Sequence, residues 1–192
     1  MRRAAIVRRS AIAAAGFALL VATSAHATSL QNENLITPLP TGFKIGWRKI
    51  IPNRMTMVEY VPSGETVNDW SRMVTVQVFF HLSNIDPDRY IAGVANHWRA
   101  GCPGGDGKKV FGGFENGFAT ALWFLACPRN PQTGKPENTF FKAISGQDSL
   151  YVVQYAYRRT LSRDVATPGL RYLKTVFACD TRRADRPCPK LP

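Results

Sequence analysis

The stretch Arg72–Phe80 alternates so strictly that it sets the character of the whole chain. Val74, Val76, Val78 and Phe80 fall on one side of an extended strand, with Met73, Thr75, Gln77 and Phe79 on the other. Such a strand belongs in a sheet, and turn signals mark out its neighbours. Phe43–Ile51 and Met55–Val61 read as strands, the second stopped by Pro62-Ser63-Gly64. Lys109–Phe114 and Phe118–Cys127 flank Asn116-Gly117, a strong hairpin signal. Thr139–Ser145 and Ser149–Arg158 form another hairpin around Gly146-Gln147-Asp148. Between the two groups of strands lies a helix that Asp86 is placed to cap, with Pro87 at its first position and Gly101 at its end. Tyr90, Ile91, Val94, Ala95 and Trp98 make its apolar face. Thr167-Pro168 opens a closing helix that buries Leu170, Leu173, Val176 and Phe177. The expected fold is therefore α+β: a single domain over residues 43–180, mainly antiparallel sheet packed with two amphipathic helices. A flexible leader (28–42) precedes it and a basic, disulfide-tethered tail (181–192) follows.

Residues 1–27 have the three parts of a secretory signal peptide. Arg2, Arg3, Arg8 and Arg9 form a positive start, Ile12–Val21 an apolar run, and Ala25-His26-Ala27 a small-x-small cleavage pattern. The run is short for a membrane span, which needs ~20 apolar residues. Cleavage would leave 165 of the 192 residues, enough for one domain with a proper core. Removing the leader's four arginines leaves 21 of the 25 Lys and Arg against 13 Asp and Glu, a net of about +8. That excess suits either weak contact with an anionic surface or a solvated basic surface that keeps the protein soluble, and charge alone does not choose between them. It gathers locally at Arg182, Arg183, Arg186 and Lys190. An exported chain has little access to nucleic acid.

All four cysteines follow the leader. An even count in an oxidising compartment reads as two bridges. Three pairings are available, and locality favours Cys102–Cys127 and Cys179–Cys188. With no closely spaced Cys pair and only His81 and His97 beyond the leader, no metal set emerges. Gly104-Gly105-Asp106-Gly107-Lys108-Lys109 lacks the Ser or Thr and the following helix of a phosphate loop, so no cofactor is expected.

The candidate site residues come mainly from Gly64–Gln77. There Glu65 and Asp69 stand just ahead of Trp70 and a buried strand, so Trp70 and Gln77 are candidate ligand contacts. Catalysis would draw on Glu65, Asp69 or His97 as acid or base. No Gly-x-Ser-x-Gly elbow or free thiol supplies a nucleophile beside them. Tyr151, Tyr155 and Tyr157 share the parity of one strand face.

The pattern Glu-Thr-Val-x-x-Trp-x-x-Met-Val-Thr-Val-Gln at Glu65–Gln77 resembles a segment of exported proteobacterial proteins. The order of elements from Phe43 to Cys179 is similar to the PsbP-like α/β/α sandwich of small extra-cytoplasmic accessory proteins. The resemblance implies a binding or accessory role and supplies no catalytic residues. The expectation is a periplasmic or secreted, non-enzymatic module of the cell envelope that holds a partner protein or small ligand. The alternatives are a small envelope-polymer hydrolase and a secreted basic factor that attaches to anionic lipid or glycan.

Overall fold

Four strands, a helix, four more strands, a second helix and a last short strand follow one another along residues 30–190, the part that the computed structural model describes. The signal peptide expected over 1–27 lies outside the described residues. The elements are β1 (Glu33–Ile36), β2 (Phe43–Ile51), β3 (Met55–Pro62), β4 (Arg72–Phe80), α1 (Pro87–Gly101), β5 (Asp106–Glu115), β6 (Phe118–Cys127), β7 (Glu137–Ser145), β8 (Ser149–Tyr157), α2 (Arg163–Thr175) and β9 (Phe177–Asp180). Seven of the strands form one antiparallel sheet in the order β2-β3-β4-β8-β7-β6-β5. The domain is thus α+β, an antiparallel sheet with two amphipathic helices. Asn116 and Gly117 both adopt positive φ in the β5–β6 turn, the backbone that a tight hairpin needs and that glycine takes without strain.

Alternation along the strands divides the core into two layers. On one face Ile91 and Ala95 of α1 pack on Ala121, Leu125, Phe141, Ala143, Leu150 and Val152. Asp86 caps this helix by accepting from the amides of Asp88 and Arg89. The opposite face carries Val74, Val76, Phe140, Ile144 and Val153, with Leu173 of α2 and Val176 just past its end packed over them. Tyr151, Tyr155 and Tyr157 also lie in this layer, so the shared parity of the three tyrosines makes core.

Burial pushes the phenols of Tyr151, Tyr155, Tyr157 and Tyr172 upward, and the Glu33 carboxylate adds to the effect at Tyr151. A phenol whose pKa is raised by folding stays neutral in the native state while the unfolded chain ionises near pH ~10. Stability should therefore be intact below that pH and fall as pH rises above it. Lys142 acts in the opposite sense, because burial lowers its pKa, but it is one group against five, since burial raises the Tyr90 phenol as well. Spectrophotometric titration should show these phenols ionising together with loss of circular dichroism. Smooth ionisation of all tyrosines in a folded chain would contradict it.

Three expectations are corrected. Residues 28–42, expected to be a flexible leader, contain β1, which pairs antiparallel with β9 from Glu33 opposite Asp180 to Ile36 opposite Phe177. Glu33 also accepts from the amides of Gln147 and Asp148 at 2.6 and 3.2 Å and from the Tyr151 hydroxyl at 2.9 Å. Glu33→Gln should cost about 1 kcal/mol in urea unfolding, the worth of roughly one hydrogen bond; an unchanged midpoint would mean that the clamp contributes nothing.

The second correction concerns the closing helix. It begins at Arg163 rather than Thr167, with Ser162 as its cap, and Pro168 lies inside it. Val176 and Phe177, expected on its buried face, follow its last residue.

The third is the tail, whose arginines are largely neutralised. Arg182 pairs with Asp180 and Asp148, Arg183 pairs with Asp185, and Arg186 lies over the Phe118 ring at 4.5 Å. The local basic concentration is not a free cationic surface. Both bridges follow the local pairing, Cys102–Cys127 and Cys179–Cys188.

Candidate functional site

The residues singled out in Gly64–Gln77 do not form a binding rim. Glu65 accepts from the amide and hydroxyl of Ser71, both at 2.6 Å, which closes the turn into β4. Asp69 is exposed and paired with Lys135 at 3.1 Å. Trp70 is only 6% exposed, and the guanidinium of Arg158 lies 4.1 Å from its ring centroid. The face on which a ligand would stack is occupied, so Trp70 is the lid of a small core with Val61, Met73 and Ala156. Gln77 is half-buried, accepts from Gln154 at 3.1 Å and places its amide nitrogen 3.2 Å from Met57 Sδ.

His97 lies apart from these, on α1. Its Nδ1 is 2.9 Å from the carbonyl of Gly93, one turn back. It borders a cavity of about 450 Å³ lined also by Val94, Trp98, the Cys102–Cys127 bridge and Asn130. Neither Glu65 nor Asp69 lines that cavity, and no carboxylate, serine or free thiol does. Among the described residues His97 thus has neither a nucleophile nor an orienting carboxylate beside it in that cavity. The three candidate acid–base groups therefore do not share this cavity.

The site with more developed chemistry lies on the other face, where α2 packs on β7 and β8 and a cleft opens between it and β5–β7. Register places Phe111 opposite Leu122, Leu122 opposite Lys142 and Lys142 opposite Val153. These side chains consequently point to the α2 side of the sheet. With Val110, Leu170 and Leu173 they wall a cleft of about 510 Å³, within the usual size of a small-molecule site.

Lys142 is at its floor, with its side chain 3% exposed. Its ammonium pairs with Glu115 and donates to the carbonyls of Leu173 at 2.9 Å and Val176 at 2.6 Å. Burial pulls Lys142 below the ordinary lysine range, and the Glu115 carboxylate offsets part of that. An ammonium held by three acceptors is a poor nucleophile, because its lone pair is taken by the proton that the carboxylate stabilises. The arrangement ties the end of α2 to the sheet and leaves a cleft with apolar walls above. Arg171 and Lys174 stand exposed at its edge.

Sequence reasoning passed over Lys142, although a signal was there. It has the parity of Phe140 and Ile144 in β7, so a charged residue was due on an apolar face. No comparable local pattern marks Arg171 and Lys174, which matter because of where α2 packs.

Among the described residues no helix is long and apolar enough to cross a membrane. No family model and no characterised protein sequence matches the chain. The solved structures to which the chain is similar include two of Mog1. One is a mutant of the protein Mog1, at 11% identity over 74% of this chain and 85% of that chain, with a TM-score of 0.42. The other is the Saccharomyces cerevisiae Ran-binding protein Mog1p, at 10% identity over 74% and 85%, with a TM-score of 0.42. Likeness at that level carries no argument about the function or partners of this chain.

Proposed function

We propose that this chain is an exported, non-enzymatic binding protein of the bacterial cell envelope, and that its ligand site is the cleft between α2 and strands β5–β7. The observation that carries the reading is the cleft itself: apolar walls from Val110, Phe111, Leu122 and Leu170 over a floor cation already neutralised by Glu115. Such a site holds an apolar group by excluding water and offers no activated nucleophile, which favours binding over chemistry. Two bridges are what an oxidising compartment permits, and they agree with the signal-like residues 1–27. Cleavage after Ala27 would leave β1 intact.

A neutral fluorescent probe tests this directly. N-phenyl-1-naphthylamine should bind the chain at one site with enhanced emission. Leu122→Trp, which fills the cleft from its sheet wall, should weaken that binding at least tenfold while the circular dichroism stays native. No enhancement with the native chain, or equal binding by a folded Leu122→Trp variant, would refute the assignment.

A further inference from the structure

We infer that the occupant of this cleft is a single-chain amphiphilic anion, an acyl carboxylate whose chain lies between Phe111, Leu122 and Leu170 and whose head meets Arg171 and Lys174. The inference rests on the cleft being a binding site, and it adds the chemical class of the ligand. Its basis is the way charge is distributed around the cleft. At the floor, the positive charge of Lys142 is matched by Glu115 and two backbone carbonyls. A second carboxylate pushed to that depth would meet Glu115 and lose its water without gaining a free cation. The floor therefore suits the methyl end of a chain.

The edge is the reverse. Arg171 and Lys174 are three residues apart on α2, hence neighbours on its surface. Both are exposed, and neither makes an ion pair or side-chain hydrogen bond among the described residues. That contrasts with the tail, where Arg182 and Arg183 each have a carboxylate. Two uncompensated cations beside an apolar wall raise the local concentration of anions and repel cations. Arg171 can hold a carboxylate through two parallel N–H donors, and Lys174 adds a point charge. An alcohol would keep the chain's burial but lose the charged contact. A quaternary ammonium head would be placed against like charge.

Calorimetric titration of the chain with dodecanoate and dodecyltrimethylammonium below their micelle concentrations, and with dodecanol below its solubility limit, separates the claims. Dodecanoate should bind at least tenfold more tightly than dodecanol, with the ammonium amphiphile weakest. The exposed double variant Arg171→Glu/Lys174→Glu should remove the preference for dodecanoate over dodecanol while the circular dichroism stays native. Equal affinity for dodecanoate and dodecanol would overturn the anion inference and leave the cleft assignment standing. Failure of all three to bind would overturn both. Binding to phosphatidylglycerol vesicles without binding of dodecanoate would likewise overturn the inference, since it would point to a membrane surface in place of a single chain.

Discussion

Replacing Lys142 with methionine should destabilise the fold by about 3–5 kcal/mol, the usual cost of removing one partner from a buried ion pair. The side chain it replaces is almost fully enclosed and serves three acceptors at once. Methionine fills a similar volume, so packing loss is small and the change reads mainly as polar groups left unmet. Glu115 would lose its cation, though it is one-third exposed and can partly rehydrate. The carbonyls of Leu173 and Val176 would lose their shared donor at the end of α2. Converting both members, Lys142→Met with Glu115→Leu, should recover much of the loss, because an apolar pair carries no orphaned charge. Urea unfolding of the two variants measures this. A single variant as stable as the native chain would show that the ion pair does not hold α2 on the sheet.

Gly169→Ala should destabilise by about 2 kcal/mol, against the helix propensity that would favour alanine by up to about 1 kcal/mol. Gly169 sits inside α2 where the helix backbone comes closest to the sheet. Its amide donates to the Tyr157 hydroxyl at 3.0 Å. A methyl group there would overlap that hydroxyl and meet Cδ1 of Tyr155 at 2.9 Å. Both rings are core, so neither can swing away freely. Removing the hydroxyl with Tyr157→Phe should relieve part of the clash, so the double variant should lose less than the sum of the single losses. Stabilisation by alanine, as in an exposed helix, would show that α2 does not approach the sheet so closely at this point.

How far the sequence could be read depended on whether the determining contacts were local. Arg72–Phe80 and Phe118–Cys127 have the bounds expected, because alternation and turn residues are written within each segment. The cap at Asp86 and the positive φ at Asn116-Gly117 are local in the same way. β1 escaped because Glu33–Ile36 is short and half polar. It is held by β9 and by the reach of Glu33 to the β7–β8 turn, which is remote in the chain. The start of α2 was misplaced because Thr167-Pro168 imitates a cap and first position, whereas Ser162 takes that role and tertiary packing carries the helix through the proline. Trp70 drew attention by its company of carboxylates. Only the fold shows that Arg158 covers it and that Glu65 is spent on Ser71.

We propose that one cleft, under α2, is where this chain meets its ligand. Amide chemical-shift mapping of the isotope-labelled chain during titration with dodecanoate tests it most directly. The account predicts perturbations confined to Val110–Glu115 of β5, Leu122 and its neighbours in β6, Lys142, and Thr167–Lys174 of α2. Shifts centred instead on His97 and the Cys102–Cys127 bridge, or on Trp70 and Gln77, would contradict it.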